Sequence, residues 1–193
     1  MGEKNQPDKH GMESQMRTSF EASLPARVER AAQIELQNII PSNWFAAAAS
    51  ESAGMYVAGF FYGAISTAHA YVEGLSKFLV EKNPAVKGCK NDTPKRLIKL
   101  RDADVISEQT YDALQSIFNN TERNDFHHLN ECVEQDYFNL EQRAKECINH
   151  LHTIESEVFA YSFNKGSILP QTPRYWPINA QGLAVIHMRR KET

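Results

Sequence analysis

The sequence predicts an all-α protein. It reads as a four-helix, bundle-like domain with an extra N-terminal helix and an extended or small-hairpin C-terminal tail. Three observations predict it. Val133, Tyr137, Leu140, Ala144, Cys147, Leu151, Ile154 and Val158 are spaced alternately four and three apart, the seam of a long helix packed along another. Ala58, Phe61, Ile65, Ala68, Val72, Leu75 and Leu79 carry a second apolar pattern at helical spacing. Pro170, Pro173 and Pro177 keep the last thirty or so residues out of helix.

The elements follow in order. Residues 1–20 are polar, with Pro7 and Gly11, and read as flexible. Ser23-Leu24-Pro25 places a capping residue and a proline at a helix start, and Ile40-Pro41 ends that helix. A long helix then begins at about Ala46 or Glu51 and stops before Asn83-Pro84. Thr93-Pro94 starts a short helix with Leu97, Ile98 and Leu100 on its apolar side. Ser107 caps another, with Tyr111, Leu114, Ile117 and Phe118 facing the core. Asn119-Asn120-Thr121 reads as a tight connection into the last helix, about 122–161. Beyond Gly166 the stretch from Gly182 to Met188 is β-prone. The chain divides into an N-terminal segment (1–45), the helical domain (46–162) and the tail (163–193).

Composition excludes several classes. At 193 residues, with 41% hydrophobic, 10% aromatic and 23% charged residues, the chain is long enough for one packed core and is not a disordered or fibrous polymer. A net charge of −3 does not mark the whole molecule as a polyanion binder. Cys89, Cys132 and Cys147 form no CxxC pair and, being odd in number, fit a reducing, cytoplasmic setting better than a disulfide framework. The polar start lacks the apolar run of a secretory leader, and Gln6 stands where a myristoylation signal needs Ser or Thr. No residue between Glu51 and Glu73 is charged, a span long enough to cross a bilayer. Ser52, Ser66, Thr67, His69 and three glycines make it a buried helix instead, with no membrane expected. There Gly59 and Gly63 form a GxxxG through which a second helix, in a homodimer, could approach closely.

Charge is unevenly spread. From Lys77 to Arg101 eight basic residues stand against two acidic; from Asp102 to Glu157 thirteen acidic stand against three basic. The basic segment is a candidate phosphate-binding face, with Lys95, Arg96 and Lys99 as its expected RNA contacts.

Arg123-Asn124-Asp125-Phe126-His127-His128 opens the last helix. An arginine offers phosphate a permanently charged, forked donor set, and an imidazole moves protons near neutral pH. A helix N-terminus adds exposed N–H groups for an anion. On a regular helix His127 lies about 40° around the axis from Arg123 and His128 about 140°.

This stretch resembles the Arg-x4–6-His motif of the HEPN superfamily, in its Arg-Asn-x-x-x-His form. The resemblance covers about residues 46–161. It implies a long helix, two shorter helices and a final long helix, with the motif at the junction into the last. It also implies metal-independent RNA cleavage. His128 would act as base or acid at the ribose 2′-OH, Arg123 would stabilise the charged phosphorus centre, and Asn124 would orient the pair. His127 is the second candidate for the proton-transferring residue. Partners implied are RNA, a second copy of the chain and, in toxin–antitoxin, defence or stress settings, an antitoxin protein. His128-Leu129-Asn130 lacks the His-x-Tyr ending through which some members are modified. Other members are non-catalytic, so a nucleotide- or RNA-binding or dimerising module is the competing class.

No cofactor or metal is expected. His128/Cys132 and Cys147/His150 have ligand-like spacing, but Cys132 and Cys147 are 15 residues apart on one helix, about 22 Å along its axis. His69 and Glu73, one turn apart, read as a polar spot in a helix interface.

Overall fold

The computed structural model describes residues 8–41, 44–86, 92–119 and 137–189. Helix α1 spans Lys9–Ala32, α2 Trp44–Ala58, α3 Phe61–Lys82, α4 Thr93–Asp102, α5 Glu108–Phe118 and α6 Tyr137–Val158. Four short strands, β1 (Ile39–Pro41), β2 (Tyr161–Asn164), β3 (Ser167–Pro170) and β4 (Ile186–Met188), and two 3₁₀ turns, Pro84–Val86 and Pro173–Tyr175, complete the described elements. The molecule is mostly helical, as the apolar periodicities predict.

Helix α3 is the centre of the core. Ala64, Ile65, Ala68, Tyr71, Val72, Leu75 and Leu79 are all fully buried along it. Against it packs the seam of α6, whose Leu140, Ala144, Cys147, Leu151, Ile154 and Val158 are buried as the four-three spacing requires. Ile148, one residue after the seam position Cys147, is buried too, so the apolar face is wider than a two-helix seam. Val133, the first residue of that seam, lies outside the described residues. Tyr111, Leu114 and Ile117 of α5 close the core between α3 and α6.

The expected single helix from about Ala46 to Glu81 is two helices. Gly59 adopts φ 87°, a left-handed conformation that ends α2 and that a residue with a Cβ resists. The chain reverses, and α3 runs back along α2: the Ser52 hydroxyl donates to the Ala64 carbonyl at 2.7 Å. Apolar spacing continues through the reversal because both helices face one core, so periodicity does not register the break. The GxxxG therefore works within the chain. Gly59 makes the turn, and Gly63 leaves room for Met55 of α2, whose Sδ would lie 2.7 Å from an added Cβ.

Residues 9–20, expected to be flexible, belong to α1, whose start is capped by the Asp8 carboxylate accepting from the Gly11 N–H. Pro25, expected at a helix start, sits inside α1. Its missing N–H leaves the Glu21 carbonyl without its intrahelical partner. Helix α4 is capped by Asp92, one residue before the expected Thr93. Ser107 caps α5 as predicted, accepting from the Thr110 N–H.

The tail packs on the helices. Strands β2 and β3 form a hairpin turned by Lys165 and Gly166, both at positive φ, while β4 pairs antiparallel with β1. Tyr175 and Trp176 enter the core. Arg189 follows β4 and reaches the buried carboxylate of Glu155 on α6, with N–O distances of 2.5 and 2.7 Å. Among the described residues no helix is long and apolar enough to cross a membrane.

Candidate functional site

The four residues of the motif, Arg123, Asn124, His127 and His128, lie outside the described residues. The helices on either side of them are described. Glu157 near the end of α6 accepts hydrogen bonds from the Ser107 backbone N–H at 2.7 Å, from the Thr110 hydroxyl at 2.7 Å and from the Ser107 hydroxyl. The start of α5 is thus tied to the end of α6, and the two helices run antiparallel where they pack.

At the other end of α5, Phe118 lies against His69 of α3, with ring centroids 4.8 Å apart and planes tilted by 35°. His69 is buried among Ile65, Ala68 and Val72, its neighbours on the same helix. It is the interface residue expected from the sequence, and it touches the last residue of α5. Glu73, one turn further along α3, is half-buried. In sequence, Arg123 follows Phe118 by five residues.

The basic segment divides. Lys95 is exposed and its ammonium pairs with Asp92 at 2.7 Å. Lys99 is exposed. Arg96, expected to point outward with them, is 3% exposed. Its Nε donates to Ser76 Oγ on α3 at 3.1 Å and its Nη2 to Thr93 Oγ1 at 2.5 Å. The reason is its place on the helix. Thr93, Arg96, Leu97 and Leu100 follow i, i+3, i+4, i+7 and form the buried face, whereas Ile98, expected on that face, is exposed. Arg101 is held by Asp102 and stacks over the Tyr111 ring at 4.4 Å. The outward cations of α4 are therefore Lys95 and Lys99.

No group of three or more His, Cys, Asp or Glu side chains that could hold a metal ion occurs among the described residues. Cys147 is a buried thiol of the α6 seam. Burial lowers the His150 pKa from its ordinary value, and the nearby Glu146 charge partly offsets this.

One cleft was not legible in the sequence. A cavity of about 1010 Å³ opens between the α1–β1 connection, α2, α6 and β4, lined in part by Ser50, Gly54, His152, Thr153, His187 and Arg189. The His152 Nδ1 is buried there without a hydrogen-bond partner among the described residues. Arg189 is already satisfied by Glu155, by Ser50 Oγ at 2.8 Å and by the Gln37 carbonyl at 3.0 Å. Burial lifts the Glu155 carboxyl above the ordinary carboxylate range, and the guanidinium of Arg189 only partly offsets it. Burial and the nearby Glu155 charge together raise the Tyr71 phenol well above its usual value. His152 lies 15 residues beyond Tyr137, about 22 Å along α6, so the cleft is remote from the start of that helix.

No family model, curated protein or solved structure matches this chain.

Proposed function

We propose that the chain is a metal-independent endoribonuclease of the HEPN type. The observation that supports this reading is the order of elements. A long α3, two short helices α4 and α5 and a long α6 follow one another, and in sequence Arg123-Asn124…His128 falls between α5 and α6. In this reading the 2′-OH of one ribose attacks the adjacent phosphorus. His128 takes the hydroxyl proton, and the leaving 5′-oxygen is protonated as the P–O bond breaks. Arg123 neutralises charge on the phosphoryl oxygens at the transition state, and Asn124 orients the pair. His127 is the alternative proton carrier. Lys95 and Lys99 contribute phosphate contacts along α4. A second copy of the chain and an antitoxin protein are the partners that go with this reading, in a cytoplasmic setting.

The test is incubation of the purified protein with single-stranded RNA in excess EDTA. Cleavage is expected to persist, and His128→Ala is expected to slow it by about 10²-fold or more. Loss of cleavage in EDTA would contradict the mechanism. RNA binding with no cleavage by the intact chain would leave the non-catalytic, RNA-binding module as the reading.

A further inference from the structure

Helix α1 buries none of its residues, although it is 24 residues long. Its C-terminal end is held to the domain by Arg30, which donates to Glu141 on α6 at 2.8 Å and to the Val57 carbonyl of α2 at 3.4 Å. Along the rest of the helix stands a row of large apolar side chains at four-residue intervals: Met12 (52% exposed), Met16 (70%), Phe20 (50%), Leu24 (42%) and Val28 (60%). These exposed side chains gain little from burial within the chain, and burial is what normally stabilises helices in water. A row at i, i+4 spacing is the ridge that packs into the grooves of a second helix. Shallow grooves flank this one. Met12, Arg17 and Phe20 line one, and Met16, Ser19, Phe20 and Ser23 the other.

The row is also symmetric about Phe20. Met16 and Leu24 stand four residues to either side, Met12 and Val28 eight. Glu13 and Arg27 stand seven residues to either side and project within about 20° of Phe20, on the same face. If two α1 helices lie antiparallel with Phe20 on the twofold axis, Met16 meets Leu24 of the other copy and Glu13 meets Arg27. A parallel arrangement would set Glu13 against Glu13 and Arg27 against Arg27, and like charges in register oppose association. Pro25 projects about 140° away from Phe20, so it leaves the ridge undisturbed. Charges of both signs alternate along the helix, unlike the basic face of a membrane-surface helix.

We infer that α1 is a homodimerisation element that pairs antiparallel with α1 of a second copy, centred on Phe20. The occupant is a second copy because the face is complementary to itself in both shape and charge. This interface is separate from the GxxxG, which is used inside the chain, and it stands independently of any ribonuclease activity.

The test begins with light scattering of the full chain at micromolar concentration, where twice the 21.9 kDa protomer mass is expected. Phe20→Glu is expected to give the protomer mass with an unchanged thermal transition of the domain, because the residue is exposed there. Glu13→Arg and Arg27→Glu are each expected to weaken the dimer at least tenfold, and the two together to restore it. In a Cys89→Ser, Cys132→Ser background, Phe20→Cys is expected to form a covalent dimer on oxidation and Met12→Cys alone is not. A monomeric wild type, a dimer indifferent to Phe20→Glu, failure of the double charge reversal to restore pairing, or self-cross-linking at position 12 would each overturn the inference.

Discussion

The guanidinium of Arg189, beyond the last strand, closes on the carboxylate of Glu155 in the last turn of α6, and the Glu155 side chain is fully buried. This contact fastens the tail to the bundle across 34 residues of sequence. Removing the cation leaves a buried carboxylate unpaired, a change that typically costs about 3–5 kcal/mol. Arg189→Ala is therefore expected to lower the denaturant midpoint strongly at pH 7.

The pH dependence of that loss follows from the raised Glu155 pKa. Between the ordinary carboxylate value and the raised folded value, the folded state binds more protons than the unfolded chain. Stability from this group therefore falls as pH rises through that window. Without Arg189 the lowering influence is gone, the folded value rises further and the window widens. The deficit of Arg189→Ala against wild type is expected to shrink on acidification towards pH 5, and adding Glu155→Gln is expected to recover part of it at pH 7. A deficit independent of pH would show that the pair does not govern the loss.

The turn between α2 and α3 gives a second test. Gly59→Ala forces a Cβ into a left-handed conformation, at a cost of about 1–2 kcal/mol. Gly63→Ala meets only the end of the flexible Met55 side chain and is expected to cost less. Thermal unfolding of the two variants checks the order, and equal losses would contradict the assignment of Gly59 to the turn.

Helix α4 should separate stability from binding. Arg96→Ala removes the donors to Ser76 and Thr93 inside the core and is expected to destabilise by about 1–3 kcal/mol. Lys95→Ala with Lys99→Ala is expected to change stability by no more than about 0.5 kcal/mol. It is also expected to flatten the salt dependence of single-stranded RNA affinity, by about 0.7 in log–log slope per lost phosphate contact. An unchanged salt slope would remove α4 from the proposed RNA contacts.

The sequence made the core helices legible where one apolar face is read continuously, as with Leu140 to Val158 of α6 and Tyr111 to Ile117 of α5. It concealed the Gly59 reversal, because α2 and α3 present apolar residues to the same core and the pattern runs on. The charge of Arg96 suggests solvent, but its i, i+3, i+4, i+7 relation to Thr93, Leu97 and Leu100 places it inside. The start of α1 is hard to read from the sequence because its apolar residues are diluted among polar ones and stay exposed: Met12, Met16 and Phe20 are each at least half exposed. Glu155 carries no sequence signal as a buried residue, and its partner Arg189 is a long-range pairing that no local pattern encodes. Of the candidate site, Arg123 and His128 were legible as a motif. His69, whose ring lies against Phe118 at the end of α5, was legible only as a polar residue in a helix interface.

In the proposed reaction the ribose 2′-OH is the nucleophile, and the Arg123/His128 pair serves its attack. The most direct measurement maps one cut site in a short single-stranded RNA, identifies the product ends by mass spectrometry, and repeats the reaction with a single 2′-deoxy nucleotide 5′ to the scissile phosphate, in EDTA throughout. A 2′,3′-cyclic phosphate on the upstream product and no cut at the deoxy position are expected. A 5′-phosphate on the downstream product, or undiminished cleavage of the deoxy substrate, would contradict the proposed reaction.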